Sequence, residues 1–580
     1  MKKQIIIILF AGLALLSSCY DAMNEVPLER MPPEIAFKDS IKVEMFVNEL
    51  YVGLNTGLGG YNRFGGGSAN QNSFFDCVTD LGVLSPVSTN TEVNSFTRAT
   101  FHSGSGGNKD ARWAETYQLI RKTNIVLAYI HYCETLSEAR MAQYIGEAKL
   151  HKAILHYEML KRYGGISIMD ELFEGGDINI PRNTFDECVE YIVRLCDEAA
   201  AGLPLRYPDN DYGRLTKGSA LGLKARVLLY AASPLFNESP IANTTELQRY
   251  ASPDRTRWER AANAAYDVIN LRLPDGTLAY ELYPSYERLF FTREGNRELL
   301  IMRMQGLTNN VEKRNGPAGF PGATGNTSLT QEFIDMFELK SGKLSKDDPA
   351  YDPQKPWENR CERFKASVLY NGSSWWDGEV ETYVGGKDYT ALNSTAKGCV
   401  TGYTLRKHLD PEVRISGVEK NTYHDWPILR FAEILLSYAE AANEYYTTSD
   451  DEMVDDELIY TYVNLIRSRA GLPPVENKTK GEMRTIIHRE RTVELAFEEI
   501  RYFDLRRWQK PEGNLNATCQ WLTGMRITKN NDGSFNYQRY NISTNPRGGY
   551  QNRDLLLPLP LDEVSRLEST TGVSWQNQGW

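Results

Sequence analysis

This chain is short of histidine, of paired cysteines and of positive charge. Its seven histidines among 580 residues are His102, His131, His151, His156, His408, His424 and His488. His151 and His156 lie five residues apart and share no helical face, and the others are isolated, so no zinc site is indicated. Eight cysteines include no Cys-x-x-Cys pair, which excludes zinc-ribbon and thioredoxin-type chemistry. Beyond Cys19 the others are Cys77, Cys133, Cys188, Cys196, Cys361, Cys399 and Cys519, scattered and odd in number, and they read as buried free thiols. Lys and Arg number 65 against 76 Asp and Glu, a formal net charge of −11. That balance argues against a nucleic-acid partner, which needs a basic face. No Gly-x-Ser-x-Gly elbow and no phosphate loop occurs. No catalytic residue, metal or cofactor is therefore expected. Past the first twenty residues no apolar run is long enough to cross a bilayer, which takes ~20 residues.

What the chain does have is aromatic residues, helical periodicity and one long irregular stretch. Tyr (33) and Trp (10) help bring aromatics to 11%. Flat rings with polar tips suit sugar stacking or peptide anchoring, though most must build the core. Trp113, Tyr117, Ile120, Asn124, Leu127 and Ile130 recur at helical steps. Further helices are expected at about Arg140–Tyr163, stopped by Gly164-Gly165, and at Phe185–Gly202, Lys217–Ala232 and Trp258–Asn270. Others are expected at Pro427–Tyr446, with proline in its first turn, and at Asp456–Ala470 and Lys480–Arg501. From 273 to 426 Gly, Pro, Asn and aromatics mix without helical period, except near Gln331–Leu339, and Ser367–Tyr370 reads as a short strand. The fold class is mostly α: helical hairpins of tetratricopeptide-like packing, with a loop-rich insert carrying short strands. The boundaries read as a signal segment at 1–18, a tether at 19–33 and one domain at 34–580, its scaffold at about 34–272 and 427–580.

The N-terminus has Lys2 and Lys3 before an apolar stretch from Ile5 to Leu16, then Ser17-Ser18-Cys19. This is a secretory signal whose end resembles a bacterial lipoprotein lipobox. The resemblance implies that Cys19 becomes the acylated first residue, held to a membrane by lipid.

Six ordered blocks resemble the SusD/RagB family of outer-membrane lipoproteins. They are Glu147–Gly165, Gly213–Ala232, Leu429–Ala441, Asn464–Pro473, Glu490–Trp508, and the terminus with Leu557-Pro558-Leu559-Pro560 and Gln576–Trp580. Leu559 stands where isoleucine is common, and Gln578 where proline is common. Within these blocks Arg491, Arg501, Arg506 and Arg507 lie near Glu490, Glu494, Glu498, Glu499 and Asp504, at spacings that make helix-surface or inter-helix ion pairs. Glu494 and Glu498 therefore read as braces, not as a catalytic pair.

The resemblance implies a surface-exposed protein at the cell outer membrane, with a SusC-like TonB-dependent transporter as partner and an oligosaccharide as ligand. It implies binding without catalysis. A peptide-binding role in a RagB-type importer, a surface glycoside hydrolase and a purely structural transporter clamp are the competing readings. Family ligand contacts tend to come from variable loops. Here those are Asn70–Asp76, Thr308–Asn326 and Asn371–Trp376, which gives Phe74, Phe75, Phe320, Trp375 and Trp376 as candidate ligand-binding residues, with Asp80 and Arg314 as further polar candidates.

Overall fold

A computed structural model describes residues 32–58, 74–85, 97, 102–104, 112–173, 180–238, 244–392, 394–509, 518–542 and 551–580. The signal-like segment, Cys19, most of the tether and Asn70–Ser73 of the early loop lie outside the described residues. The longer helices are α1 (Ser40–Leu50), α2 (Trp113–Tyr129), α3 (Glu138–Tyr163), α4 (Phe185–Gly202), α5 (Lys217–Ala232) and α6 (Thr256–Ile269). After the insert come α7 (Phe431–Tyr446), α8 (Glu457–Arg469), α9 (Lys480–Glu494), α10 (Arg501–Trp508) and α11 (Leu561–Thr571).

Local chemistry sets these boundaries. Thr184 and Glu187 form a capping box at the start of α4, and Thr479 and Glu482 form one at α9, so orphan N–H groups at both starts are satisfied. The end of α3 is fixed by Gly164 at φ 77°, a conformation that residues with a Cβ rarely adopt. Neighbours in sequence pack on one another: α3 on α2 and α4, α5 on α4 and α6, α7 on α6, α8 and α9. Helix α5 is buried on nearly every side, and its Gly222 leaves room for Leu300 and Leu429 to approach. One large apolar core joins α3 to α9, and a second lies under the insert around Phe333, Phe364, Trp375, Tyr403 and Phe497. All seven described cysteines are buried.

The strands are β1 (Gly82–Leu84), β2 (Leu299–Arg303), β3 (Thr327–Leu329), β4 (Val368–Tyr370), β5 (Tyr403–Leu405), β6 (Trp426–Arg430), β7 (Thr523–Lys529) and β8 (Phe535–Asn541). One antiparallel sheet runs β1-β3-β5-β4, with Gly82 opposite Leu329 and Leu369 opposite Thr404. Strand β7 pairs with β8, and β6 pairs with β2.

Two expectations are corrected here. Residues 427–430 are strand, not the first turn of a helix: β6 pairs with β2 and α7 begins at Phe431. A two-stranded ribbon has free edges, and its register shifts beside Pro427, so the missing proline N–H is tolerated. The helix expected over Lys480–Arg501 stops at Glu494 and resumes at Arg501. Between them Phe497 and Glu499 take left-handed backbone, φ 59° and 61°. Helix propensity loses there to tertiary demands. The break lets the Phe497 carbonyl meet His408 Nε2 at 3.0 Å and lets Glu498 reach Lys407 Nζ at 2.6 Å.

Beside that break lies a buried ionic network that ties insert to scaffold. Arg430 contacts Glu298 at 2.7 Å, Glu494 at 2.7 Å and Glu498 at 2.8 Å. Arg469 holds Glu298 and Glu494, Arg363 holds Glu490 and Glu494, and Arg467 holds Glu338 and Glu490. Glu494 and Glu498 thus brace the fold, and they do so in the interior, where the partners come from other elements and not from the same helix surface. Arg501 likewise pairs with Asp80, and Arg507 with Glu440 and Asp504.

Candidate functional site

The loops of the insert converge on a short hairpin. Ser374 pairs with Glu379 and Trp375 with Gly378, and Gly372 and Ser373 extend the ladder to Val380. Ser373 Oγ closes its base on the Tyr370 carbonyl at 2.7 Å. The two turn residues are Trp376 and Asp377. Trp376 sits at φ 46°, a left-handed conformation normally left to glycine or asparagine. A bulky residue held there carries strain of about 1–3 kcal/mol, and such outliers cluster at functional sites.

The surroundings brace the Trp376 ring. The edge of Phe320 meets it at 5.8 Å and 85°, and Trp375 lies beneath it at 5.5 Å. A small apolar cluster of Ala323, Val413 and Ile415 supports it. Trp376 is half-buried, and its indole Nε1 is enclosed with no hydrogen-bond partner among the described residues. Charged groups rim it: Asp377 lies 4.0 Å from Arg414, and Lys387 Nζ sits 4.3 Å from the Phe320 ring centroid. Buried Asp388 pins the two loops together, accepting the Gly319 N–H at 2.7 Å and the Glu381 N–H at 2.8 Å. Burial raises its pKa above the usual carboxylate value. A braced ring with a donor and an acceptor beside it can stack on an apolar face and bond hydroxyls around it.

The seven candidates divide by burial. Phe74 stacks on His408 at 5.4 Å and meets Phe497 edge-on, and it is 1% exposed. Phe75 is buried with its ring against Tyr502. Asp80 is buried, with both carboxylate oxygens bonded to Arg501 at 2.9 and 2.7 Å. Trp375 is 2% exposed in the core under the insert. These four side chains fill or pin the interior and offer no open face. Trp376 and Arg314 are half-buried, and Phe320 is buried but borders the Trp376 ring. The neighbours Asp377, Lys387 and Arg414 carried no sequence signal, because two of them come from loops ten or more residues from the tryptophan pair.

Elsewhere an open groove of about 520 Å3 lies between α4, α5 and α6. Most of its charges are matched within the chain: Arg260 with Glu190, Lys224 with Asp197, Arg194 with Glu198. Among the described residues no group of three or more His, Cys, Asp and Glu side chains is placed to hold a metal, and no helix is long and apolar enough to cross a membrane.

Comparison with known proteins accounts for this architecture. Residues 293–580 match the model of the SusD family, and residues 28–229 match a second model described as starch-binding, associating with the outer membrane. A SusD-like protein of Formosa agariphila, P2, is 24% identical over 98% of this chain and 98% of its own length. The crystal structure of a SusD-like protein from Bacteroides fragilis superposes with a TM-score of 0.75 at 25% identity, covering 96% of this chain and 100% of that one. Surface glycan-binding protein A from Bacteroides uniformis shares the fold at TM-score 0.64 and 18% identity, covering 93% and 99%. The chain belongs to the SusD-like family.

Proposed function

We propose that this chain is a cell-surface glycan-binding lipoprotein. In this reading it captures oligosaccharide at the Trp376 loop and passes it, uncut, to a SusC-like TonB-dependent transporter of the outer membrane. The observation that carries the proposal is Trp376 itself: a half-buried indole at a strained hairpin tip, with Asp377 and Arg414 beside it. The indole supplies an apolar platform for the C–H face of a sugar ring, and the rim charges bond its hydroxyls. Family membership and a glycan-binding relative of the same fold support the substrate class. Acylation at Cys19 supplies the anchor. Binding without cleavage is favoured because Glu494 and Glu498, the carboxylates nearest in sequence to a catalytic pair, are each locked to Arg430. Calorimetry of the purified chain against a polysaccharide panel tests the reading. The expected affinity is millimolar to micromolar, about −4 to −8 kcal/mol. Silence across the panel with binding of a peptide pool instead, or turnover of a glycan, would overturn it.

A further inference from the structure

Helix α1 is apolar on two opposite sides. Val43, Val47 and Leu50, continued by Leu54, form its inner stripe, all 4% exposed or less. Ile41, Met45, Asn48 and Val52 repeat the same 4-3-4 spacing on the other side. There Ile41 is 69% exposed, Met45 64% and Val52 43%, and Phe46 adds a ring at 40% beside them, stacked on Phe37 at 4.9 Å. A helix lying on a globular core should turn polar residues outward. Large apolar residues in that register are what a partner's groove takes up.

The charges flanking the stripe are engaged within the chain. Glu44 pairs with Arg214, Glu49 with Lys122, and Lys42 lies 3.9 Å from Asp39. Asn48 in the middle of the stripe accepts from Arg214 at 2.8 Å and so is held in one orientation. A narrow seam with a fixed polar residue and no basic rim does not suit a lipid surface, which favours a wide apolar face edged by Lys and Arg. It suits a protein groove. Chain length says where that protein is. Twelve residues separate Cys19 from Pro32, a span of roughly 45 Å at most when extended. A lipid on Cys19 therefore keeps α1 close to the bilayer.

We infer that the outer stripe of α1, centred on Ile41 and Met45, docks the chain on the extracellular face of its membrane-embedded transporter. This rests on the delivery step proposed above. The test uses the full-length acylated chain, tagged at its C-terminus, expressed in its own outer membrane and extracted in mild detergent. The TonB-dependent transporter that co-purifies is identified and quantified by mass spectrometry. Ile41→Glu with Met45→Glu is expected to lower recovered transporter by about ten-fold or more, as loss of central apolar anchors does. Met45→Leu keeps it, and the melting temperature and glycan affinity of the double variant stay at the parent values. Equal recovery from the double variant overturns the docking face while leaving the delivery step standing. A parent chain that captures no transporter overturns both. The chain beginning at Tyr20 is tested in parallel. Flotation with phosphatidylethanolamine–phosphatidylglycerol vesicles, or dimerisation in solution, that the double variant abolishes assigns the stripe to lipid or to a second copy and likewise overturns the inference.

Discussion

Arg430 grips Glu494 twice: Nη1 donates to Glu494 Oε1 at 2.7 Å and Nη2 to the Glu494 backbone carbonyl at 2.6 Å. Both residues are fully buried. The side-chain bond is an ion pair and the backbone bond ends helix α9, so one guanidinium links the last residue of β6 to the point where the helix breaks. Arg430 also reaches Glu298 and Glu498, so its loss takes one cation from each of three buried carboxylates, which keep Arg469, Arg363 and Lys407.

Arg430→Met is therefore expected to destabilise the chain by about 3–5 kcal/mol, the cost of breaking a buried ion-pair network by removing one partner. Urea denaturation reads this directly. Glu498→Gln keeps the side chain's size and one acceptor oxygen, and the loss should be clearly smaller. A Met variant with parent stability would show that Arg363 and Arg469, which also hold Glu494, carry the network alone.

Acid stability has a definite sign. Burial lowers His151 to about 3, His156 to about 4 and His488 to about 4. Unfolded histidines titrate near 6.5, so below that pH the unfolded chain takes up protons that the folded chain refuses. Stability from these three groups is full above about pH 6.5 and falls toward pH 4. Asp76 runs the other way: burial, then Glu499, raises it to about 7. Its contribution is present below about pH 3.8 and is lost as pH rises to 7. Burial also lowers His408 well below the ordinary value, and raises Asp186, Asp388 and Asp554 by smaller amounts than Asp76, so the four histidines outweigh the carboxylates and the melting temperature should rise from pH 4.5 to pH 6.5. Below pH 4.5 a further loss begins. Glu158, opposed by burial but held by Lys161 and Arg162, and Glu440, opposed by burial but held by Arg507, both ionise down to about 2. Asp76→Asn should steepen the rise and lift the melting temperature at pH 8. Calorimetry showing a flat melting temperature between pH 5 and 7 would contradict this assignment.

The turn after α3 leaves no room for a side chain. A Cβ on Gly165 would stand 2.2 Å from the Asn183 carbonyl oxygen and 3.1 Å from that of Leu247. Both obstacles are backbone, so neither can rotate away. Gly165→Ala is expected to cost about 1–3 kcal/mol in denaturant unfolding through forced backbone shifts. Gly276→Ala is a useful contrast. Unlike Gly165 it has positive φ (85°), and nothing lies within 4 Å of its Cβ position, so only the backbone strain, about 1 kcal/mol, is expected.

Phe185–Gly202 was legible because one apolar stripe and one capping residue are local signals, and Lys217–Ala232 because a capping threonine opens it and Pro234 follows its end. The strand at 426–430 was not, because Pro427 next to a good helix former imitates a helix start and its pairing partner lies over a hundred residues away. The gap between α9 and α10 was not legible either: Leu-Ala-Phe-Glu-Glu reads as helix until Lys407, His408 and Asp76, all remote, claim its groups. The site followed the same rule. A loop rich in Gly, Ser and Trp located the hairpin, but which tryptophan turns inward depends on a φ angle that no spacing encodes.

That difference between adjacent tryptophans gives the sharpest test of the site. Trp375 is 2% exposed and packs in the core with Phe320, Tyr403 and Leu405 as fellow members, so Trp375→Ala should behave as a core truncation and cost about 3–5 kcal/mol. Trp376→Ala removes a half-buried ring at the hairpin tip and keeps the left-handed φ, so its effect on unfolding should be clearly smaller than that of Trp375→Ala. Its effect on binding should be large. Stacking faces are central anchors, and losing one costs about 2 kcal/mol or more, some thirty-fold in affinity for the oligosaccharide found by calorimetry. Asp377→Ala, on a 91% exposed side chain, should weaken binding less and leave folding alone. The pattern, with stability lost at 375 and affinity lost at 376, distinguishes a ligand platform from a structural tryptophan pair. Parent affinity in Trp376→Ala would remove this hairpin from the binding surface and move the search to the other insert loops.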